Sequence, residues 1–336
     1  MRRGPAGPTA GFSPRVVLHA DDLGLNRAVN EGILQSARQG LLTSASLLAN
    51  APQAAEALAG WQDLLKAQCD GSLPSSAARR RLDDPPQPFD LGIHVNLTQG
   101  RPLTADRYPA QLLDREGRFP GPGALFRYLH GRSTAFAASI EAELRAQIDF
   151  MLDHRAKPTH LNGHQYVEMM PAVAALIPRL VRKYSIPVIR LPLERNAWRL
   201  TFLPRFRLAN ACLALVKRYY AEKFRRMVDG AGIAHPDAFF GSSHAGCVDL
   251  SLVARFLVRP QRFSLAEIAL HPGAADAPVT NDTDGWCDPL AAQRPCELAM
   301  LLSPGLQAFL ISQRIKLGRI GSLATSTGNL KRSKAA

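Results

Sequence analysis

The residues best suited to chemistry stand at the ends of apolar runs. Val16-Val17-Leu18-His19-Ala20 leads into Asp21-Asp22-Leu23-Gly24. Two adjacent carboxylates at the end of a buried strand are costly to desolvate unless a cation or a proton transfer uses them. Later runs deliver imidazoles: His94 within residues 89–97, His160 and His164 within 159–165, His244 after Phe239-Phe240-Gly241, and His271 after residues 267–270. One carboxylate and two imidazoles can hold a hard or borderline divalent ion and leave positions open for water and substrate. Such an ion polarises a carbonyl and acidifies water, while a second carboxylate beside it takes a proton. That chemistry needs two carboxylates with different jobs, and Asp21-Asp22 supplies them.

Each signal has a plainer reading. Acidic pairs cap helices, and a single buried histidine such as His94 can be a hydrogen-bonded core residue. From a regular strand Asp21 and Asp22 would face opposite ways, so the pair shares a pocket only if the strand breaks or bulges, as the Leu23-Gly24 turn permits. His160 and His164 are spaced like a helical ligand pair, but Pro158 and Gly163 argue against a helix, so they are not expected to share one ion. Asn96 lies on the same strand face as His94.

Hydrophobic periodicity predicts strands over 15–20, 41–48, 89–97, 159–165 and 188–191, and helices over 26–39, 51–65, 134–154 and 171–184. Alternating strands and helices with polar residues at the strand ends predict an α/β fold, a parallel sheet or (β/α) barrel with its chemistry at one rim. With 336 residues and 46% hydrophobic content, a single barrel-sized core is within reach. The expected organisation is a flexible terminus over 1–14, one catalytic domain over 15–316 and a disordered basic tail over 317–336. Within the domain, 68–88 is rich in Ser, Pro, Arg and Asp and is expected to be a disordered surface insertion. Residues 101–123 read as a turn-rich loop, and 295–316 as a helical region interrupted at Pro304-Gly305.

The net charge of +13 invites a nucleic-acid or anionic-membrane reading, but its distribution narrows the choice. Residues 195–226 hold nine Lys/Arg against Glu222, and 314–336 hold six against no acid, so the rest of the chain is near neutral and no nucleic-acid partner is expected. The segment 196–228 interleaves aromatic and basic residues. It reads either as a solvated helix face over a core or as an interfacial segment leaning on anionic lipid. Pro204 argues against one continuous helix there. Five scattered cysteines with no C-x-x-C pair fit a reducing, cytoplasmic setting, with peripheral contact at the inner membrane face as a further expectation. A homodimer is also expected.

Four ordered runs carry a specific resemblance: Ala20-Asp21-Asp22-Leu23-Gly24-Leu25-Asn26; Leu91-Gly92-Ile93-His94-Val95-Asn96-Leu97-Thr98-Gln99-Gly100-Arg101-Pro102-Leu103; Pro158-Thr159-His160-Leu161-Asn162-Gly163-His164-Gln165; and Leu270-His271-Pro272-Gly273. They resemble the YdjC-like carbohydrate deacetylases, which include chitooligosaccharide deacetylases and a hopanoid-biosynthesis deacetylase. The resemblance implies a distorted, TIM-like (β/α) barrel and metal-dependent removal of acetyl from an N-acetylated sugar. It further implies Asp22, His94 and His164 as ligands of one divalent ion, Mg2+ or Zn2+. Asp21 becomes the general base and His271 the general acid. Arg190 would pair with Asp21 or with substrate. His160 would support the ligands from behind, and Asn96 and His244 are further expected substrate contacts. The chain departs from the family pattern at Asn162, where Asp is common, and at Gln165, Tyr166 and Glu168, where further histidines are common. Chitobiose specificity is therefore not carried over. A catalytically silent sugar- or metal-binding regulator on the same barrel is the alternative.

Overall fold

The computed structural model describes residues 13–73, 77–82, 87–131, 134–194, 208–258, 263–275 and 284–323. In chain order these form β1 (Arg15–Leu23), α1 (Arg27–Arg38), β2 (Ser44–Leu47), α2 (Ala54–Cys69), α3 (Ala77–Leu82), β3 (Asp90–Val95), α4 (Pro122–Leu129) and α5 (Ala137–Asp153). There follow β4 (His160–Gly163), α6 (Pro171–Ala174), α7 (Ile177–Lys183), β5 (Val188–Ile189), α8 (Leu208–Gly230), β6 (Ala238–Phe240), α9 (Leu250–Phe256), β7 (Leu265–Leu270), α10 (Arg294–Leu302), α11 (Pro304–Ser312) and β8 (Lys316–Leu317).

The strands form one parallel sheet in the order β5-β4-β3-β2-β1-β7-β6, and β8 pairs with the start of β1. Isolated parallel bridges from Val188 to Ala234 and from Glu194 to Phe239 link the β5 side to the β6 side, so the sheet curls into the expected distorted barrel.

Alternation along β1 decides what faces where. Val16, Leu18 and Ala20 join the large core between sheet and helices, with Ile33 of α1, Ile93 of β3, Leu161 of β4, and Leu144 and Ile148 of α5. Each such fully buried aliphatic side chain contributes about 1.5–3 kcal/mol. On the other face Val17 packs with Val188, Leu265 and Ile320 as a small apolar plug. Above the plug the buried side chains turn polar: His19, Ser44, Ser46, His160, Asn162, Arg190 and Glu267. Gly92 makes room for this interior, since a methyl group there would lie 2.3 Å from His160 Nε2.

The structure corrects several expectations. Inside 68–88, α3 is ordered because Arg79 is buried and donates to the carbonyls of Ala37, Gly40 and Leu42, satisfying groups left over where α1 ends. The tail expected to be disordered from 317 continues into β8, and Gly318 N donates to Val16 O while Ile320 is buried. Residues 324–336 lie outside the described residues, as do 1–12. The helix expected over 171–184 is broken into α6 and α7. The interruption expected at Pro304-Gly305 is present between α10 and α11, where the Ser303 hydroxyl accepts from Leu306 N at 3.2 Å to cap α11. In the basic segment, α8 begins four residues after Pro204, and 195–207 lie outside the described residues. Among the described residues no single helix is long and apolar enough to cross a membrane.

Candidate active site

The C-terminal ends of the strands surround a cavity of about 550 Å3, lined at its floor by Asp21, Asp22, His94, His164, His271 and Arg294. β1 reaches it through a distortion. Its register against β2 shifts between Ala20 and Leu23, and Asp22 takes φ 68°, a left-handed conformation that costs on the order of 1–3 kcal/mol outside glycine. That kink turns both carboxylates of the pair to the cavity, as the bulge expectation required. Asn26 then caps α1 by accepting from Val29 N at 2.9 Å, ending the turn.

Asp22, His94 and His164 each present a ligand atom, all within 4.8 Å of one another. Asp22 Oδ1 lies 3.1 Å from His164 Nδ1 and 3.6 Å from His94 Nε2, while its Oδ2 accepts from Arg294 Nη2 at 2.8 Å. Arg294 is itself held by Asp288, whose Oδ2 accepts from Nε at 2.8 Å.

Asn162 links His94 to Asp21. Its Nδ2 donates to Asp21 Oδ1 at 3.0 Å, which directs its Oδ1 to His94 Nδ1 at 2.9 Å. His94 Nδ1 must then carry the proton, and Nε2 keeps its lone pair toward the ion site. The amide of Asn162 can donate to a carboxylate and accept from an imidazole at once.

Asp21 is held from every side. Its Oδ2 accepts from Arg190 Nη1 at 2.7 Å, and Oδ1 accepts from Ser46 Oγ at 3.2 Å and lies 3.2 Å from His19 Nε2. Arg190 is clamped on its other side by Glu267, with Nε donating to Oε1 at 2.7 Å. Burial alone would raise the Asp21 pKa, but the Arg190 guanidinium, His94 and His19 hold it well below the ordinary carboxylate range. Burial opposes ionisation of Asp22 as well, and Arg294 and His164 pull it well below that range. Both groups are therefore carboxylates at neutral pH.

His271 follows β7, its Nε2 3.9 Å from Asp21 Oδ2 and its Nδ1 3.9 Å from Glu297 Oε2. Glu297 accepts from the backbone N–H groups of His271 and of Val248, so α10 fixes where β7 ends. Burial brings the His271 pKa down to about 4, leaving a neutral imidazole at rest.

The resident groups suit a divalent cation. His164 Nε2 is buried without a hydrogen-bond partner, and His94 Nε2 lies 3.6 Å from Asp22 Oδ1, so each imidazole has a nitrogen that can bind a cation beside the carboxylate.

A YdjC-like protein family profile matches residues 15–312. The chain belongs to the YdjC-like family. A carbohydrate deacetylase of Homo sapiens is 30% identical over 326 residues, spanning 92% of this chain and 91% of its relative. A carbohydrate deacetylase of Geobacillus stearothermophilus is 28% identical over 302 residues, spanning 90% and 94%. In fold, the YdjC-like chain is similar to the crystal structure of an Enterococcus faecalis V583 protein proposed to cleave cellobiose phosphate. The TM-score is 0.64 at 20% identity, covering 93% of this chain and 99% of that one.

The structure brings together Asp21, Asp22, His94, His164 and His271, as the sequence predicted. The other expected residues, Arg190, Asn96, His160 and His244, do not line the cavity. Arg190 lies 1% exposed beneath Asp21, so of its two expected partners it meets the carboxylate. Asn96 is spent on its own loop, accepting from Thr98 N at 2.9 Å and donating to Gln99 O at 2.7 Å. His160 is fully buried, packed edge-on against His19 at 4.9 Å between ring centroids. His244 is buried near Phe256, 6.2 Å between ring centroids, and does not line the cavity. Gln165 and Tyr166 enter the cavity wall through positive φ values of 51° and 62° directly after His164.

Sequence reasoning missed His19, Ser46, Glu267, Arg294 and Glu297. Two left a signal: His19 interrupts the apolar run 16–20 and Glu267 is the one polar residue of β7, positions where a charge survives only if paired. Arg294 left none, because it arrives from a loop-to-helix junction 272 residues after its partner Asp22.

Proposed function

We propose that this protein is a metal-dependent deacetylase that hydrolyses the amide of an N-acetylated sugar carried on an apolar group. The observation that carries the reading is the pairing, within one cavity, of an Asp-His-His ligand set with a second carboxylate that is not part of it. Binding alone needs no such carboxylate, which separates this reading from the silent-regulator alternative. The curated relatives, named carbohydrate deacetylases over most of their length, support the same activity.

Asp22, His94 and His164 would hold the ion. When bound, a divalent ion supplies Lewis acidity toward the acetyl carbonyl and toward water. Asp21, kept ionised and oriented by Arg190, Ser46 and Asn162, accepts the proton of the attacking water. Because its basicity is depressed, it surrenders that proton readily. His271, neutral at rest and 3.9 Å from Asp21 Oδ2, passes it to the departing nitrogen. Arg294 keeps the second oxygen of Asp22 occupied, leaving one oxygen toward the ion.

The apolar carrier is read from the outer wall. Leu25, Phe126, Met169, Met170, Val216, Tyr220 and Leu290 face the cavity, far more hydrocarbon than a sugar ring needs. Acetate release by the metal-loaded protein should be measured over N-acetylglucosamine offered free, as oligomers, nucleotide-linked and lipid-linked. The expected order places the lipid-linked form first. Equal rates on the free sugar would remove the apolar carrier, and no acetate from any form would remove the deacetylase.

A further inference from the structure

We propose that the outer face of α8, at the mouth of the cavity, is a docking surface for an anionic lipid bilayer. The inference extends the reading of a lipid-carried substrate and gives it a point of entry. It also stands on the surface itself.

α8 belongs to the cavity and to the exterior at once. Val216, Lys217 and Tyr220 line the cavity, and Tyr220 meets Phe126 of α4 edge-on at 5.4 Å between ring centroids. On the same turn Val216 is 52% and Tyr219 55% exposed, and Tyr128 on α4 is 40% exposed. Large side chains left in water beside an apolar cavity wall mark a contact surface rather than a solvated one. Tyrosine in particular suits a bilayer interface, with an apolar ring and a polar tip.

The charge is of the matching sign. From Val216 to Asp229 the helix carries five basic residues and two acidic ones. Arg225 engages both acids, Glu222 and Asp229, at 2.6 Å each. Arg218, Lys223 and Arg226 share a surface cleft of about 340 Å3 with Tyr219 and Glu222, and the Lys223 ammonium sits 4.5 Å from the centre of the Tyr219 ring. A cationic cleft floored by an aromatic ring, next to an exposed aliphatic residue, fits lipid phosphates above acyl chains. A nucleic acid would use the arginines and lysine but leave Val216 and Tyr219 unsatisfied.

Flotation of the purified full chain with vesicles tests this. Binding is expected to mixed phosphatidylglycerol–phosphatidylcholine vesicles at low salt, to weaken at high salt, and to be much weaker to phosphatidylcholine alone. The triple variant R218Q/K223Q/R226Q should partition about 100-fold more weakly, at roughly 5-fold per charge removed. Its fold is checked by circular dichroism, and Tyr219→Ser provides a second variant, expected to bind several-fold more weakly without a change in charge. Asp22→Ala should float like the wild type, so failure of the deacetylase reading would leave this result intact. The proposal is overturned if the wild type does not float with anionic vesicles, if the triple variant or Tyr219→Ser binds undiminished, or if a duplex oligonucleotide displaces the vesicles at equal phosphate concentration.

Discussion

Replacing Arg190 by methionine removes a buried charge while keeping most of the side-chain volume. The guanidinium lies between two buried carboxylates, Asp21 and Glu267, each at 2.7 Å from a donating nitrogen. At an effective dielectric of about 20, charges ~4 Å apart attract by about 4 kcal/mol. Deleting one partner of such a pair leaves the other uncompensated and costs roughly 3–5 kcal/mol. For a chain of this size that loss lowers Tm by on the order of 4–7 °C. Its pH dependence identifies the cause. In the wild type the Asp21 pKa is depressed, so its contribution is present above the ordinary carboxylate range and is lost only as pH falls through the depressed value. In Arg190→Met burial remains without its main compensation, and the Asp21 pKa rises. The folded variant then holds a proton that the unfolded chain lacks, so its deficit is largest near pH 8 and shrinks toward pH 5. Urea unfolding of metal-free protein, followed by circular dichroism at both pH values, measures this. A deficit below about 1 kcal/mol near pH 8, or one that does not change with pH, would refute the reasoning.

Glu168 is wholly buried with neither carboxylate oxygen hydrogen-bonded, and burial pushes its pKa up to about 7. The folded state therefore holds a proton that the unfolded state gives up from about pH 4.5, so stability from this group falls as pH rises through 7. Glu168→Gln should be stabilising by about 1–3 kcal/mol near pH 8 and close to neutral near pH 5. Unchanged urea midpoints near pH 8 would contradict it. Asn162→Leu removes both hydrogen bonds that join His94 to Asp21, and metal affinity measured by competition with a chelating dye should fall about 10- to 100-fold. Gly163→Ala would place its methyl 2.1 Å from Glu168 Oε2, beside the ligand His164. A loss of about 1–3 kcal/mol in unfolding free energy is expected, and wild-type stability would show that Glu168 moves aside freely.

The barrel was legible because its signal is local. Strand and helix periodicities differ, and several predicted strands carry or lead into polar residues at one rim, Asp21-Asp22, His94, His164 and His271 among them. The ligand set was legible for the same reason, together with the order of motifs shared with the YdjC-like family. Arg294 and Glu297 were not, because they reach Asp22 and His271 from α10, and no periodicity relates positions so far apart. The residues expected near the site that do not line the cavity share one feature. Asn96, His160 and His244 are polar residues near strand ends, but the sequence does not say which polar groups the backbone will consume. Asn96 is used by the carbonyl and amides of its own loop, and His160 fills the space above Gly92 inside the barrel. The stretch 68–88 reads as unable to order itself by composition, yet one buried arginine gives α3 enough partners to do so.

The central claim is tested most directly by adding Zn2+ or Mg2+ to metal-free protein while acetate release from the best N-acetylated substrate is followed. The account predicts one ion per chain, acetate release that appears only with the ion, ion binding lost in His164→Ala, and ion binding kept but acetate release lost in Asp21→Asn. Acetate released at the same rate by metal-free protein or by Asp21→Asn would contradict it.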